Sequence, residues 1–141
     1  MDRLKKRADF LRAAKGVRRV EGAITLETCK TPQAGDDAAP IQTWRVGFTA
    51  SRKVGNAVAR NRAKRRLRAA ASQLLPLLGR EGHDYVLVAR ATTGTRAFDA
   101  LLADVTAALK AAHRGLDRSA GEVRSDSVRT SGRQIKTGEG I

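Results

Sequence analysis

The chain is poor in the groups that build protein-based catalytic centres. Its 141 residues hold one cysteine, Cys29, and two histidines, His83 and His113. A single thiol closes no internal disulfide, and a reducing compartment suits it. The histidines lie far apart, no carboxylates cluster at metal-ligand spacing, and no glycine loop is built to cradle phosphate. A self-sufficient nuclease is poorly served by that inventory. Cys29 reads as a packed strand residue and His83-Asp84 as a loop pair. Long apolar runs are also missing. The longest, such as Tyr85–Ala89, fall far short of the ~20 residues that cross a bilayer. The basic N-terminal stretch (Arg3, Lys5, Lys6, Arg7) lacks the apolar run of a secretory signal, and Asp2 and Asp9 set it apart from a mitochondrial presequence. The reading is of a cytoplasmic protein with no membrane partner.

Acidic residues are scarce as well: 14 against 28 Lys and Arg, a net charge of +14. From residue 115 onward five basic and four acidic residues leave only +1, so +13 belongs to the first 114 residues. Such a field attracts nucleic acid. The length suits one domain, here residues 1–114, able to bury roughly two-thirds of its unfolded surface. Residues 115–141, rich in Ser, Gly, Thr and Arg and without an aromatic, read as a disordered tail.

Periodicity orders the rest. Asp2–Lys15 has helical spacing and ends at Gly16; Val17–Val20 is a stub of strand. Gly22–Cys29 alternates, with Ala23, Thr25, Glu27 and Cys29 on one face and Ile24, Leu26 and Thr28 on the other. Thr31–Pro40 is loop chemistry. In Gln42–Ala50, Trp44, Val46 and Phe48 share one face of a strand, and Arg45, Gly47 and Thr49 the other. Asn56 is a suitable N-cap for a helix running to about Leu75, with Pro76 and Gly79 as stop signals. His83–Ala91 has strand length. Arg96–His113 carries one apolar helical stripe, closed by Gly115. The order α-β-β-(β)-α-β-α predicts an α/β (α+β) sandwich, helices on a mixed sheet, containing one βαβ unit.

The basic residues concentrate in the second helix. Between Arg52 and Arg68 there are eight, and no acid. At ~100° per residue, Ala59, Ala63, Leu67, Ala70, Ala71 and Leu74 fall within roughly a third of the circumference, while Arg62, Lys64, Arg65, Arg66 and Arg68 lie outside it. Arg60 falls inside that arc but one turn early, near a helix start whose amides and dipole suit an anion. Charge runs are commonly solvated helix faces. Here the like charges lack acidic partners at i,i+4, which is unfavourable alone and favourable against phosphate. No short turn joins this helix to a preceding one, so a helix-turn-helix reading fails. Folded RNA, recognised through shape and phosphate, fits better.

At these residues the chain resembles the bacterial ribonuclease P protein component. Thr49–Val54 (TASRKV) and Gly55–Arg68 (GNAVARNRAKRRLR) are similar to its signature: a strand, a Ser-basic-basic turn, Gly-Asn-Ala-Val, then Arg-Asn-Arg with further basic residues. The similarity extends to Lys6–Phe10, His83–Arg90 and the last helix, about residues 4 to 112. It implies a fold of the ribosomal-protein-S5 domain 2 type, with a left-handed βαβ crossover where the general rule gives a right-handed one. It implies a catalytic RNA as partner, removing the 5′ leader of precursor tRNA with magnesium held through the RNA. No protein catalytic residue, protein metal ligand, bound cofactor or obligate protein partner follows from it.

Carried over, Arg52, Lys53, Asn56, Arg60, Asn61, Arg62, Lys64, Arg65, Arg66 and Arg68 would contact the catalytic RNA. Phe10 and Arg45 would line the cleft for the single-stranded leader, where stacking is worth ~1–3 kcal/mol per base. Other aromatics of that cleft are replaced here, by Ala14 on the first helix and by Ala23 or Leu26 on the second strand. Charge alone is equally compatible with a ribosomal protein or another RNA-binding module. Only the long signature separates them.

Overall fold

The alternating segments assemble into a five-stranded mixed sheet. The computed structural model describes residues 1–32 and 43–128, with side chains followed to residue 119. Strands β1 (Asp2–Arg3), β2 (Val17–Glu21), β3 (Ile24–Lys30), β4 (Arg45–Thr49) and β5 (His83–Ala89) stand in the order β1-β4-β5-β3-β2. β1 and β5 flank β4 in parallel; β3 runs antiparallel to β5 and to β2. Three helices pack on the sheet: α1 (Arg7–Ala14), α2 (Ala57–Leu78) and α3 (Phe98–Val128). The β4–α2–β5 segment is the βαβ unit, and the layered α/β class is the one the periodicity indicates.

Helices α2 and α3 cover one sheet face. Ile24, Leu26, Val46, Tyr85 and Leu87 from the strands meet Ala63, Leu67, Ala70 and Leu75 of α2 and Leu101, Val105 and Leu109 of α3. Each large side chain so buried contributes about 1.5–3 kcal/mol. Trp44, the single tryptophan, packs at the far end of α2, where a Cβ on Gly79 would lie 2.9 Å from its ring.

The opposite face is covered by α1. Leu4, Ala13 and Val86 form a smaller core there, with Phe10, Cys29 and Val88 against it. Gly47 makes this fit possible, because a Cβ at that position would stand 2.5 Å from the Phe10 ring. Arg45 reaches the buried Asp84 through Nε at 2.8 Å and Nη2 at 2.7 Å, and Asp9 at 3.4 Å. A hydrogen bond from Arg12 holds the Asp9 carboxyl below its ordinary range, and the Arg45 charge adds to it.

The helix limits differ from the sequence reading in three places. Asp2–Arg3 is not helical but an edge strand, followed by the Leu4 amide donating to the Val46 carbonyl at 2.9 Å; helix α1 begins only at Arg7. Pro76 lies inside α2. Its ring forgoes one amide, and the Gly79 amide still closes the last turn on the Leu75 carbonyl at 2.8 Å. Gly115 does not end α3, which crosses the boundary expected at residue 115 and continues to Val128. The glycine serves close packing instead, since a Cβ there would lie 2.9 Å from the Val17 side chain and 2.6 Å from the Arg19 guanidinium. Just beyond it, Asp117 pairs with Arg80 at 2.8 Å. Residues 129–141, and residues 33–42 of the expected loop, lie outside the described residues.

One polar cluster joins α3 to β5. The Tyr85 hydroxyl stands 2.7 Å from His113 Nε2 and accepts from the Arg80 amide at 2.9 Å. Burial, then the nearby charges of Arg80 and His83, pushes His113 down to about 4.

Candidate nucleic-acid interface

The site begins where β4 hands over to α2. Ser51 opens a 3₁₀ turn at Arg52–Val54, its hydroxyl accepting from the Lys53 amide at 3.3 Å. Gly55 follows with φ at 141°, a conformation that side chains rarely adopt. Asn56 then caps α2 as its position suggests: Oδ1 accepts from the Ala59 amide at 2.9 Å. The amides of Ala57 and Val58 are left without intrahelical acceptors at the positive end of the dipole, a ready anion site. Arg60 reaches back to this turn, its Nη1 donating to the Gly55 carbonyl at 2.8 Å. Arg52 and Lys53 stand exposed beside it.

The cations further along α2 do not form one uniform flank. At about 100° per residue, Asn61, Lys64 and Arg68 fall on one side of the buried stripe, Arg62 and Arg66 on the other, and Arg65 at the back. Arg68 lies over the Phe48 ring at 5.9 Å, and Arg3 of β1 sits over the same ring at 5.1 Å. That orients the first side towards β4 and the sheet edge. Arg66 turns the other way and donates to the Thr93 carbonyl at 2.5 Å and to the Arg96 carbonyl. It therefore fastens the β5–α3 loop instead of standing free among the cations. Asn61, Arg62 and Arg65 are exposed and Lys64 partly so. None of these four enters an ion pair among the described residues, and α2 holds no acidic residue that could neutralise them.

Two grooves adjoin the helix start. One, of about 340 Å³, lies on the sheet face that α1 leaves open, with Thr25 and Val88 as floor and Arg18, Lys53 and Arg90 around it. Arg18 is held 3.6 Å from Glu27, whose carboxyl is pushed up by burial against the opposing pull of Arg18. The second groove, of about 460 Å³, lies between α2 and the β5–α3 loop and includes Arg62. Val54 and Ala91 border both, so a single ridge separates them.

Phe10 and Arg45 share the sheet face of the first groove but sit beneath α1, Phe10 against Gly47 and Arg45 between two carboxylates. The sequence reading did not single out Arg18 or Arg90. The only local signal was alternation that turns both away from the main core. Among the described residues, no three His, Cys, Asp or Glu side chains are grouped to hold a metal ion, and no helix is long and apolar enough to cross a membrane.

Residues 1–113 fit the family model for ribonuclease P. The ribonuclease P protein component of Ruegeria pomeroyi is 51% identical over 111 residues, 78% of this chain and 85% of that one. The chain belongs to the ribonuclease P protein family. The ribonuclease P protein component of Caulobacter vibrioides is 49% identical over 122 residues, 86% of this chain and 78% of its own. Among solved structures, the RNase P protein of Staphylococcus aureus aligns with a TM-score of 0.62 at 27% identity, covering 79% of this chain and 95% of that one. The RNase P protein of Thermotoga maritima shares the fold, with a TM-score of 0.62 at 23% identity over 78% of this chain and 96% of that one. A ribonuclease P protein component is part of an endoribonuclease that processes tRNA, and RNA is its partner.

Proposed function

We infer that this chain binds the catalytic RNA of bacterial ribonuclease P through the start of α2 and receives the 5′ leader of precursor tRNA on the open sheet face, assisting magnesium-dependent removal of the leader in the cytoplasm. The observation that carries this reading is the set Asn61, Arg62, Lys64 and Arg65, solvent-facing on a helix with no acidic residue. Arginines so placed suit bidentate phosphate contacts, and the capped helix start adds backbone donors. The groove of about 340 Å³ supports the leader assignment, because Lys53 and Arg90 at its rim suit a phosphate chain, and Val88 at its floor suits the faces of bases.

Magnesium would supply Lewis-acid stabilisation of charge at the scissile phosphate. This reading assigns the ion to the catalytic RNA. What the protein contributes is position and charge. Neutralising phosphates lowers the repulsion between catalytic RNA and substrate, and so lowers the salt or magnesium needed to bring them together.

The assay is cleavage of precursor tRNA at stepped magnesium concentrations by the protein alone, the RNA alone and both together. The expected result is no cleavage by the protein alone and a lower magnesium requirement for the pair. Cleavage by rigorously RNA-free protein would overturn the reading.

A further inference from the structure

The groove between α2 and the β5–α3 loop has no role in the reading above. Its walls are aliphatic, with Val54, Val58 and Ala59 on the helix side and Ala91 across from them. Val58 is 77% exposed. The volume of about 460 Å³ lies within the roughly 300–1,000 Å³ of small-ligand sites. Polar side chains interrupt these walls at Asn56 and Arg62 on the helix side and at Thr95 on the loop side. Asn56 engages its amide oxygen with Ala59, which leaves its –NH₂ to donate outwards, and Arg62 carries the charge.

The far wall is held open by several bonds. Arg66 grips the carbonyls of Thr93 and Arg96. The Thr93 hydroxyl donates to the Ala23 carbonyl at 2.6 Å and accepts from the Arg90 amide at 2.8 Å. Arg96 in turn binds Asp104 at 3.0 Å. A loop fastened at so many points is a preformed surface, so a ligand would not bear the cost of ordering it. Gly94 lines the groove, and an added Cβ there would meet nothing within 4 Å, so a side chain is tolerated at that position.

Aliphatic walls accept the face of a planar ring, and a guanidinium beside them accepts an attached phosphate. We propose that this groove receives one unpaired nucleobase of the catalytic RNA, with an adjoining phosphate on Arg62. The inference rests on the functional reading above and deepens it. The occupant is anionic because Arg62 is charged and no acidic residue lines the groove. It comes from the catalytic RNA because Arg62 of the groove adjoins the exposed Arg65 at the back of α2, whereas the leader is assigned to the groove across the Val54–Ala91 ridge.

The test uses full-length protein and the catalytic RNA. Gly94→Phe places a bulky ring on a residue that lines the groove. Val58→Asp places a carboxylate at its mouth, on a side chain that is already exposed, and carries the test if Gly94→Phe fails to fold. Each variant is expected to bind the catalytic RNA about tenfold more weakly, the share of one stacked base. Chemical probing should then show a single unpaired nucleotide, protected by the wild-type protein, regaining reactivity. If affinity and protection both survive in folded variants, the proposal is wrong. It is equally wrong if catalytic-RNA binding is kept and only precursor-tRNA affinity falls, since the groove would then belong to the substrate. Failure of the wild-type protein to prefer the catalytic RNA over an unrelated structured RNA would instead sink the functional reading beneath it.

Discussion

Arg62 and Arg66 are one helical turn apart and chemically identical, yet the structure gives them different work. Arg62 faces solvent without an ion pair, whereas Arg66 is engaged by two loop carbonyls. Removing either should therefore show in different measurements. Arg62→Ala should leave thermal stability nearly unchanged and reduce the slope of log affinity against log salt by about 0.7–0.9, one phosphate contact. Arg66→Ala should cost about 2 kcal/mol through the loss of two charge-assisted bonds, read as a lower Tm, with a smaller change in slope. Equal slopes and equal melting temperatures for the two variants would show that the division is absent in solution. The sequence carried the inventory of cations and the Asn56 cap, since both follow from local spacing. It could not carry the fate of Arg66, because the accepting carbonyls of Thr93 and Arg96 are about thirty residues away in the chain.

At the level of elements, the small helix α1 depends on a vacancy in the neighbouring strand. Phe10 occupies the space above Gly47, where a methyl group would stand 2.5 Å from the ring. Gly47→Ala should destabilise the protein by about 1–3 kcal/mol through overpacking. Adding Phe10→Ala should cost less than the sum of the two single changes, with a coupling of at least about 0.5 kcal/mol in denaturant unfolding. Strict additivity would mean that α1 shifts to absorb the methyl group. Alternation placed Gly47 on the small, polar face of β4, so half of this contact was legible from sequence. The two-residue strand β1 was not, because its only reason to be a strand is the β4 edge beside it. Helix α3 passing Gly115 was equally hidden: the usual helix terminator is there to let α3 approach β2.

The whole molecule has a built-in sensitivity to acid that is separate from its RNA chemistry. His113, depressed to about 4 from an ordinary 6.5, is neutral in the folded protein at pH 7 and is hydrogen-bonded to the Tyr85 hydroxyl. Below pH 6.5 the unfolded chain binds a proton that the folded chain refuses, so stability is full above that pH, falls on acidification and is exhausted near pH 4. Discounted for a half-exposed ring, the loss is about 1–2 kcal/mol. The depressed carboxyl of Asp9 extends the decline only below its ordinary 3.8. Denaturant unfolding at pH 7 and pH 4.5 should show the difference, and His113→Gln should flatten it; a wild-type protein equally stable at both values would refute the assignment. The position of Trp44 against Gly79 has a consequence for optical work. The sole indole lies at the opposite end of α2 from Asn56, a separation of roughly 30 Å for a helix of this length. Intrinsic emission should therefore follow unfolding while staying almost silent to polynucleotide titration, and a ligand-sensitive fluorophore would have to be introduced near residue 58.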